Sequence, residues 1–182
     1  MQNRHARLVS RAPGRVTPTN RRGRLRRMSL SPRAIELLTK AGWFPGRRVA
    51  IPEAGGHMPV QAENRKHERI VHVHPDCPEV VRQTLIEFSG IRVETPTLST
   101  KWFQFEFDAV YGLEGPSYDM EDNAIYEGFG NLWHVGEVDY CGSLLQDARG
   151  VIYNDYGGLL RVGMSTYDAI NRLCTNTPFE EP

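Results

Sequence analysis

Apolar positions recur along this chain first with the period of a helix, then with the alternation of strands, and finally with the helical period again. The first helix is written with both of its stops. Ser31 is an N-cap whose hydroxyl can take an orphan amide, and Pro32 suits the first helical position, where no N–H is needed. Ile35, Leu38 and Ala41, with Leu37 beside them, predict the buried stripe, and Gly42 fits a left-handed position just past the end. Trp43, Phe44, Pro45 and Gly46 then make an aromatic corner from which Arg47 and Arg48 project, and Val49-Ala50-Ile51 reads as a strand. Such a corner can anchor a fold or hold an anion. Large aromatics beside a helix cap usually pack, so Gly42, Trp43, Pro45, Gly46 and Arg47 are assigned to the fold.

A second helix is capped by Asp76 or Cys77, with Pro78 in its first turn, a stripe of Val81, Leu85 and Phe88 with Val80 alongside, and Gly90 as its stop. Strands follow. Ile91 to Thr95 is short and alternating; Trp102 to Tyr111 sets Phe103, Phe105 and Phe107 on one face against Gln104, Glu106 and Asp108 on the other. One face on a core and one in water means antiparallel pairing. The aromatic row is core and not a stacking platform, because the opposite acidic face would repel phosphates. Between Gly130 and Gly142 a strand is interrupted by Gly136, at a bulge or a close backbone approach. Leu144 to Tyr153 reads as a hairpin with Gly150 supplying positive φ, and Leu159 to Val162 as a further strand. Ser165 and Asp168 then form a capping box for a last helix that buries Ala169, Ile170 and Leu173. Strands in succession with helices gathered elsewhere predict an α+β fold: a mostly antiparallel sheet of about five or six strands with three helices packed on it.

Composition changes this picture at the ends. The 182 residues suit one domain with an appendage, and no apolar run approaches a membrane span. The zero formal charge hides an asymmetry: residues 1–30 hold nine Arg and no acid, leaving 13 basic against 22 acidic side chains elsewhere, a net of −9. Residues 1–28 have no hydrophobic periodicity and are expected to form a disordered basic arm. Three readings of it stay open: a nucleic-acid-binding arm acting through phosphate contacts, an electrostatic tether to the acidic domain, or a segment outside the natural protein, with Met28 as its start. Residues 176–182, acidic and proline-containing, are expected to be a disordered tail after a domain spanning 29–175. Cys77, Cys141 and Cys174 form no CxxC, which excludes a zinc knuckle and suits a reducing cytoplasm.

Candidate chemistry is sparse. His57, His67, His72 and His74 suggest a metal, but no second HxH and no HExxH accompanies them, so they are assigned to a polar strand edge and neither metal nor cofactor is expected. The loop from Gly112 to Asn123 carries Glu114, Asp119, Glu121 and Asp122 without calcium-loop spacing and without a nucleophile and its base. These four, with Asp139 near the Gly136 irregularity, are the predicted partner-binding carboxylates, suited to a basic partner. No catalytic residue is predicted.

The run Ala41-Gly-Trp-Phe-Pro-Gly-Arg-Arg-Val49 at the end of a capped helix resembles the opening signature of the third subfamily of SUKH-superfamily bacterial immunity proteins. Glu87-Phe88-Ser89-Gly90, the Val135-Gly-Glu stretch, the Leu144 to Tyr153 hairpin with Asp147 and Gly150, and Gly163 before the closing helix are similar to its later blocks. The family more often shows two glycines where Ser89-Gly90 stands here. The resemblance covers about Ser29 to Thr175 and leaves the arm outside. It implies a non-enzymatic cytoplasmic protein that binds and neutralises a cognate bacterial toxin, with nucleases prominent among the targets. The alternative from the residues is a nucleic-acid-binding regulator acting through residues 1–27, and no membrane partner is expected.

Overall fold

The computed structural model describes residues 29–182 except 54, 62–67, 97–101, 117–125, 127 and 140–141. The expectations for residues 1–28 lie outside the described residues. Helix α1 (Pro32–Lys40) starts as predicted: the Ser31 hydroxyl accepts from the Ala34 amide, and Gly42 takes φ +92° after its end. Its buried side is Ala34, Leu37 and Leu38, whereas Ile35 is 42% exposed. Leu37 and Leu38 are buried as predicted and Ala41 packs against the core, while Ala34 takes the place expected of Ile35 on the side of α1 that meets the last helix and the first strand of the main sheet.

A hairpin that the sequence did not announce comes next, β1 (His57–Gln61) antiparallel to β2 (Glu68–His72). Helix α2 (Glu79–Phe88) buries Val81, Thr84, Leu85, Ile86 and Phe88, but its N-cap is Pro78 and no side chain among the described residues caps it, so neither Asp76 nor Cys77 has the expected role. The chain then builds a six-stranded antiparallel meander in which every strand pairs with its sequence neighbour: β3 (Arg92–Pro96), β4 (Trp102–Phe107), β5 (Trp133–Val138), β6 (Gly142–Gln146), β7 (Ile152–Asp155) and β8 (Leu159–Gly163). A short helix α3 (Ala109–Gly112) follows β4, where the sequence suggested more strand. The last helix, α4 (Thr166–Cys174), is capped by the Ser165 hydroxyl, which accepts from the Asp168 amide at 3.2 Å. The Asp168 carboxylate reaches back one residue further than a capping box requires and accepts from the Met164 amide at 2.9 Å.

The helices cover one face of the sheet. Val93, Phe105, Phe107, Val135, Leu144, Ile152 and Val162 meet Leu38, Val81, Leu85, Phe88, Ala169, Ile170 and Leu173 in the main core. Trp43 is 6% exposed and stacks on Phe88 with the rings 9° from parallel. A second, smaller core lies on the opposite face of β6–β8, where Leu145, Tyr153 and Leu159 pack with Leu132 and Val151 beneath Tyr126 and Phe129.

Two further expectations are corrected. Val49 to Ile51 is not a sheet strand; the Val49 amide donates to the Ile86 carbonyl at 2.7 Å, satisfying an acceptor near the end of α2. Residues 176–182 fold back on β8: Arg161 and Glu180 exchange both backbone hydrogen bonds, at 2.7 and 3.0 Å, and Phe179 packs against the core. A strand edge left without a partner gives even a polar tail somewhere to pair.

Candidate partner-binding face

Strand register lines up side chains across the face of the sheet away from the helices. Arg92 stands opposite Glu106, Glu106 opposite Glu137, Glu137 opposite Ser143, and Ser143 opposite Asp155. At the β6–β8 end this face is roofed, and the Tyr126 hydroxyl donates to the Asp155 carboxylate at 2.6 Å. At the β3–β5 end the side chains are half-buried to exposed. There Arg92 stands with four carboxylates, Glu94, Glu106, Glu137 and Asp139.

The bulge in β5 creates this face. His134 pairs with Leu145 and Gly136 with Leu144, so Val135 is an extra residue. Simple alternation from buried Trp133 would turn Glu137 inward and Val138 outward. The extra residue reverses that parity, so Val138 is buried and Glu137 reaches the open face. Gly136 is what lets the bulge close, since a Cβ there would lie 1.9 Å from the Glu106 carbonyl oxygen. Both readings of that glycine, bulge and close approach, therefore hold.

Glu106 and Glu137 are like charges directly opposite one another, an arrangement that costs stability in a sheet. Arg92 offsets part of that repulsion: its guanidinium lies 4.0 Å from Glu106 and donates to the Gln104 side chain at 2.9 Å. Asp139, in a left-handed conformation at φ 52°, locks the end of β4 by accepting from the Gln104 amide at 3.0 Å and donating its own amide to the Gln104 carbonyl at 3.0 Å.

Of the five carboxylates singled out from sequence, Asp139 lies on this face. Glu114 does not join it: it follows α3, whose Gly112 is pressed against the His134 carbonyl at the opposite end of β5. Asp119, Glu121 and Asp122 lie outside the described residues. Glu106 was legible as part of an acidic strand face, but Glu94 and Glu137 were missed. Alternation with buried Val93 could have found Glu94; Glu137 needed the bulge.

Another concave region is a cleft of about 260 Å³ between α2, the β6–β7 turn and the start of α4, lined by Thr84, Glu87, Phe88, Arg149 and Tyr167 among others. Its polar groups are engaged with each other. The Thr84 and Thr166 hydroxyls share a 2.7 Å hydrogen bond, Tyr167 donates to Glu87 at 3.0 Å, and Arg149 is paired with buried Asp147 at 2.7 Å. Burial, and then the nearby Glu87 charge, push the Tyr167 hydroxyl pKa up. Burial likewise raises the Cys77 thiol to about 11 and the Cys174 thiol to about 12, away from the range of reactive cysteines. His134 is pushed the other way, toward its neutral form, by burial, with Asp108 opposing. Among the described residues no group of three or more His, Cys, Asp or Glu is placed to hold a metal ion, and no helix is long and apolar enough to cross a membrane.

What the geometry defines is an α+β domain offering a carboxylate-rich sheet face. A family model described as SUKH-3 immunity protein matches residues 30–176, and the chain belongs to that family. No curated protein and no solved structure was found to match it.

Proposed function

We propose that the protein is a non-catalytic immunity protein that neutralises a cognate toxin by laying the open β3–β5 face against a basic surface of the toxin. The family membership supports the immunity role. The observation that carries the mechanism is the opposed pair Glu106 and Glu137, whose mutual repulsion a basic partner side chain would relieve. Asp139 and Glu94 extend the face, and the acidic stretch of sequence carrying Glu114, Asp119, Glu121 and Asp122 supplies further negative charge for a basic partner. A nuclease toxin suits this reading, because a nuclease is basic where it meets phosphate and a carboxylate row can occupy that site. Binding is expected in the cytoplasm, without cofactor.

The test co-expresses the toxin encoded beside this chain with residues 28–182. Rescue of growth and a stoichiometric complex are expected, and Glu106→Lys with Glu137→Lys should abolish both while leaving the far-UV circular dichroism spectrum intact. Full protection by the folded double variant would overturn the assignment of this face.

A further inference from the structure

We propose that His57 and His72 form a bidentate site for a late first-row divalent cation, such as Zn²⁺, Ni²⁺ or Cu²⁺, that clips the β1–β2 hairpin. The sequence spreads its histidines without a ligand motif; the fold brings two of them together. His57 on β1 and His72 on β2 are direct cross-strand partners, their ring centroids are 4.2 Å apart, and the rings stand 87° from parallel. Both side chains are exposed, so a cation reaches them without opening the core.

The register supplies the reason that these rings meet. Just beyond this pair, the Val73 amide donates to the Gly56 carbonyl at 3.0 Å. In an antiparallel ladder the next position is then a non-hydrogen-bonded pair, in which Cα atoms and side chains approach most closely. Two imidazoles held there present nitrogen donors to a common point at the cost of small side-chain rotations. Imidazole is a preferred ligand of these cations, and water completes the coordination sphere.

His74 is excluded from the clip although it follows His72 by two residues. Its ring packs edge-on against Trp133 at 5.7 Å, and its Nδ1 accepts from the Asp76 amide at 3.2 Å. With two protein ligands the site is an exchangeable one and not a structural centre of the four-ligand kind. The proposal does not depend on the immunity reading, since the hairpin and its histidines are a separate feature of the fold.

The experiment is calorimetric titration of the untagged full chain with ZnCl₂ and, separately, NiCl₂. One equivalent is expected to bind, and His57→Ala or His72→Ala should each weaken binding by about 100-fold, because the second ligand of a chelate binds at high effective concentration. His74→Ala should bind as the unaltered chain does. Absence of binding by the unaltered chain, or undiminished binding by both clip variants, overturns the proposal. Should either clip variant unfold, Cu²⁺ broadening of amide signals in the unaltered protein decides: loss centred on His57 and His72 supports the clip, and loss centred elsewhere overturns it.

Discussion

The guanidinium of Arg47 donates to the Ser89 carbonyl at 2.7 Å, and its other terminal nitrogen donates to the Glu87 carbonyl at 2.8 Å. A side chain 42 residues upstream thereby closes the end of α2, where the last turn of any helix leaves carbonyls without partners. The paired arginines after the aromatic corner are thus explained for Arg47 by a helix terminus, with no anion required.

Arg47→Ala should accordingly lower the unfolding free energy by about 2 kcal/mol, the scale of charge-assisted hydrogen bonds to partly buried acceptors. Arg47→Lys should recover less than half of the loss, because an ammonium cannot span two carbonyls as a planar fork does. Urea unfolding followed by tryptophan fluorescence measures both. Equal stability of the lysine variant and the unaltered chain would show that charge alone closes the helix.

The neighbouring aromatics should behave as opposites. Trp43 is buried against Phe88, and Trp43→Ala should cost about 3–5 kcal/mol. Its indole N–H is buried and has no hydrogen-bond acceptor among the described residues, so Trp43→Phe removes an unsatisfied donor along with some packing and should cost no more than about 1.5 kcal/mol. Phe44 is 57% exposed, and Phe44→Ala should stay within about 0.5 kcal/mol of the unaltered chain. The same urea series separates the three.

Local signals in the sequence were accurate at several positions where one residue carries the whole instruction, although neither Asp76 nor Cys77 caps α2. Ser31 and Ser165 cap the helices they were read to cap, Gly42 and Gly150 adopt positive φ, and the Phe105–Phe107 alternation enters the core. Signals that depend on a distant partner were not legible. The hairpin β1–β2 meets the core through Val71 and, just past its end, Val73, contacts with distant partners that periodicity alone did not mark. The tail after Thr175 needed the free edge of β8 to be ordered. The acidic face was half legible for the same reason: Glu106 follows from alternation, while Glu137 follows only from an extra residue in its strand.

Glycine replacements should distinguish conformation from space. At Gly42 an added Cβ meets nothing within 4 Å, and the objection is the backbone at φ +92°, so Gly42→Ala should cost about 1–2 kcal/mol. At Gly136 the added atom would collide with the Glu106 carbonyl at 1.9 Å. Gly136→Ala must therefore pry β4 from β5 and should cost more than about 3 kcal/mol, beyond ordinary overpacking. If thermal melting ranks the two variants the other way, the close approach of β5 to β4 is not what fixes that glycine.

The closing segment should detach in acid. Arg161 and Arg172 each donate to the Glu180 carboxylate at 2.6 Å, and these hydrogen bonds, Arg161 first, hold its pKa below the ordinary carboxylate range. A carboxyl group with a lowered folded pKa contributes its full stabilisation above the ordinary carboxylate value. It loses that contribution as pH falls from there through the lowered folded value. Protection factors at the Arg161 and Glu180 amides, with the intrinsic pH dependence of exchange divided out, should therefore be high near neutrality and fall at low pH, whereas in Glu180→Gln they should be low at both. The backbone bridge and Phe179 packing remain available after protonation, so the segment alone is expected to fray while α4 stays protected. Unaltered protection of Arg161 in acid would mean that these neutral contacts suffice, and the paired arginines would then contribute only orientation.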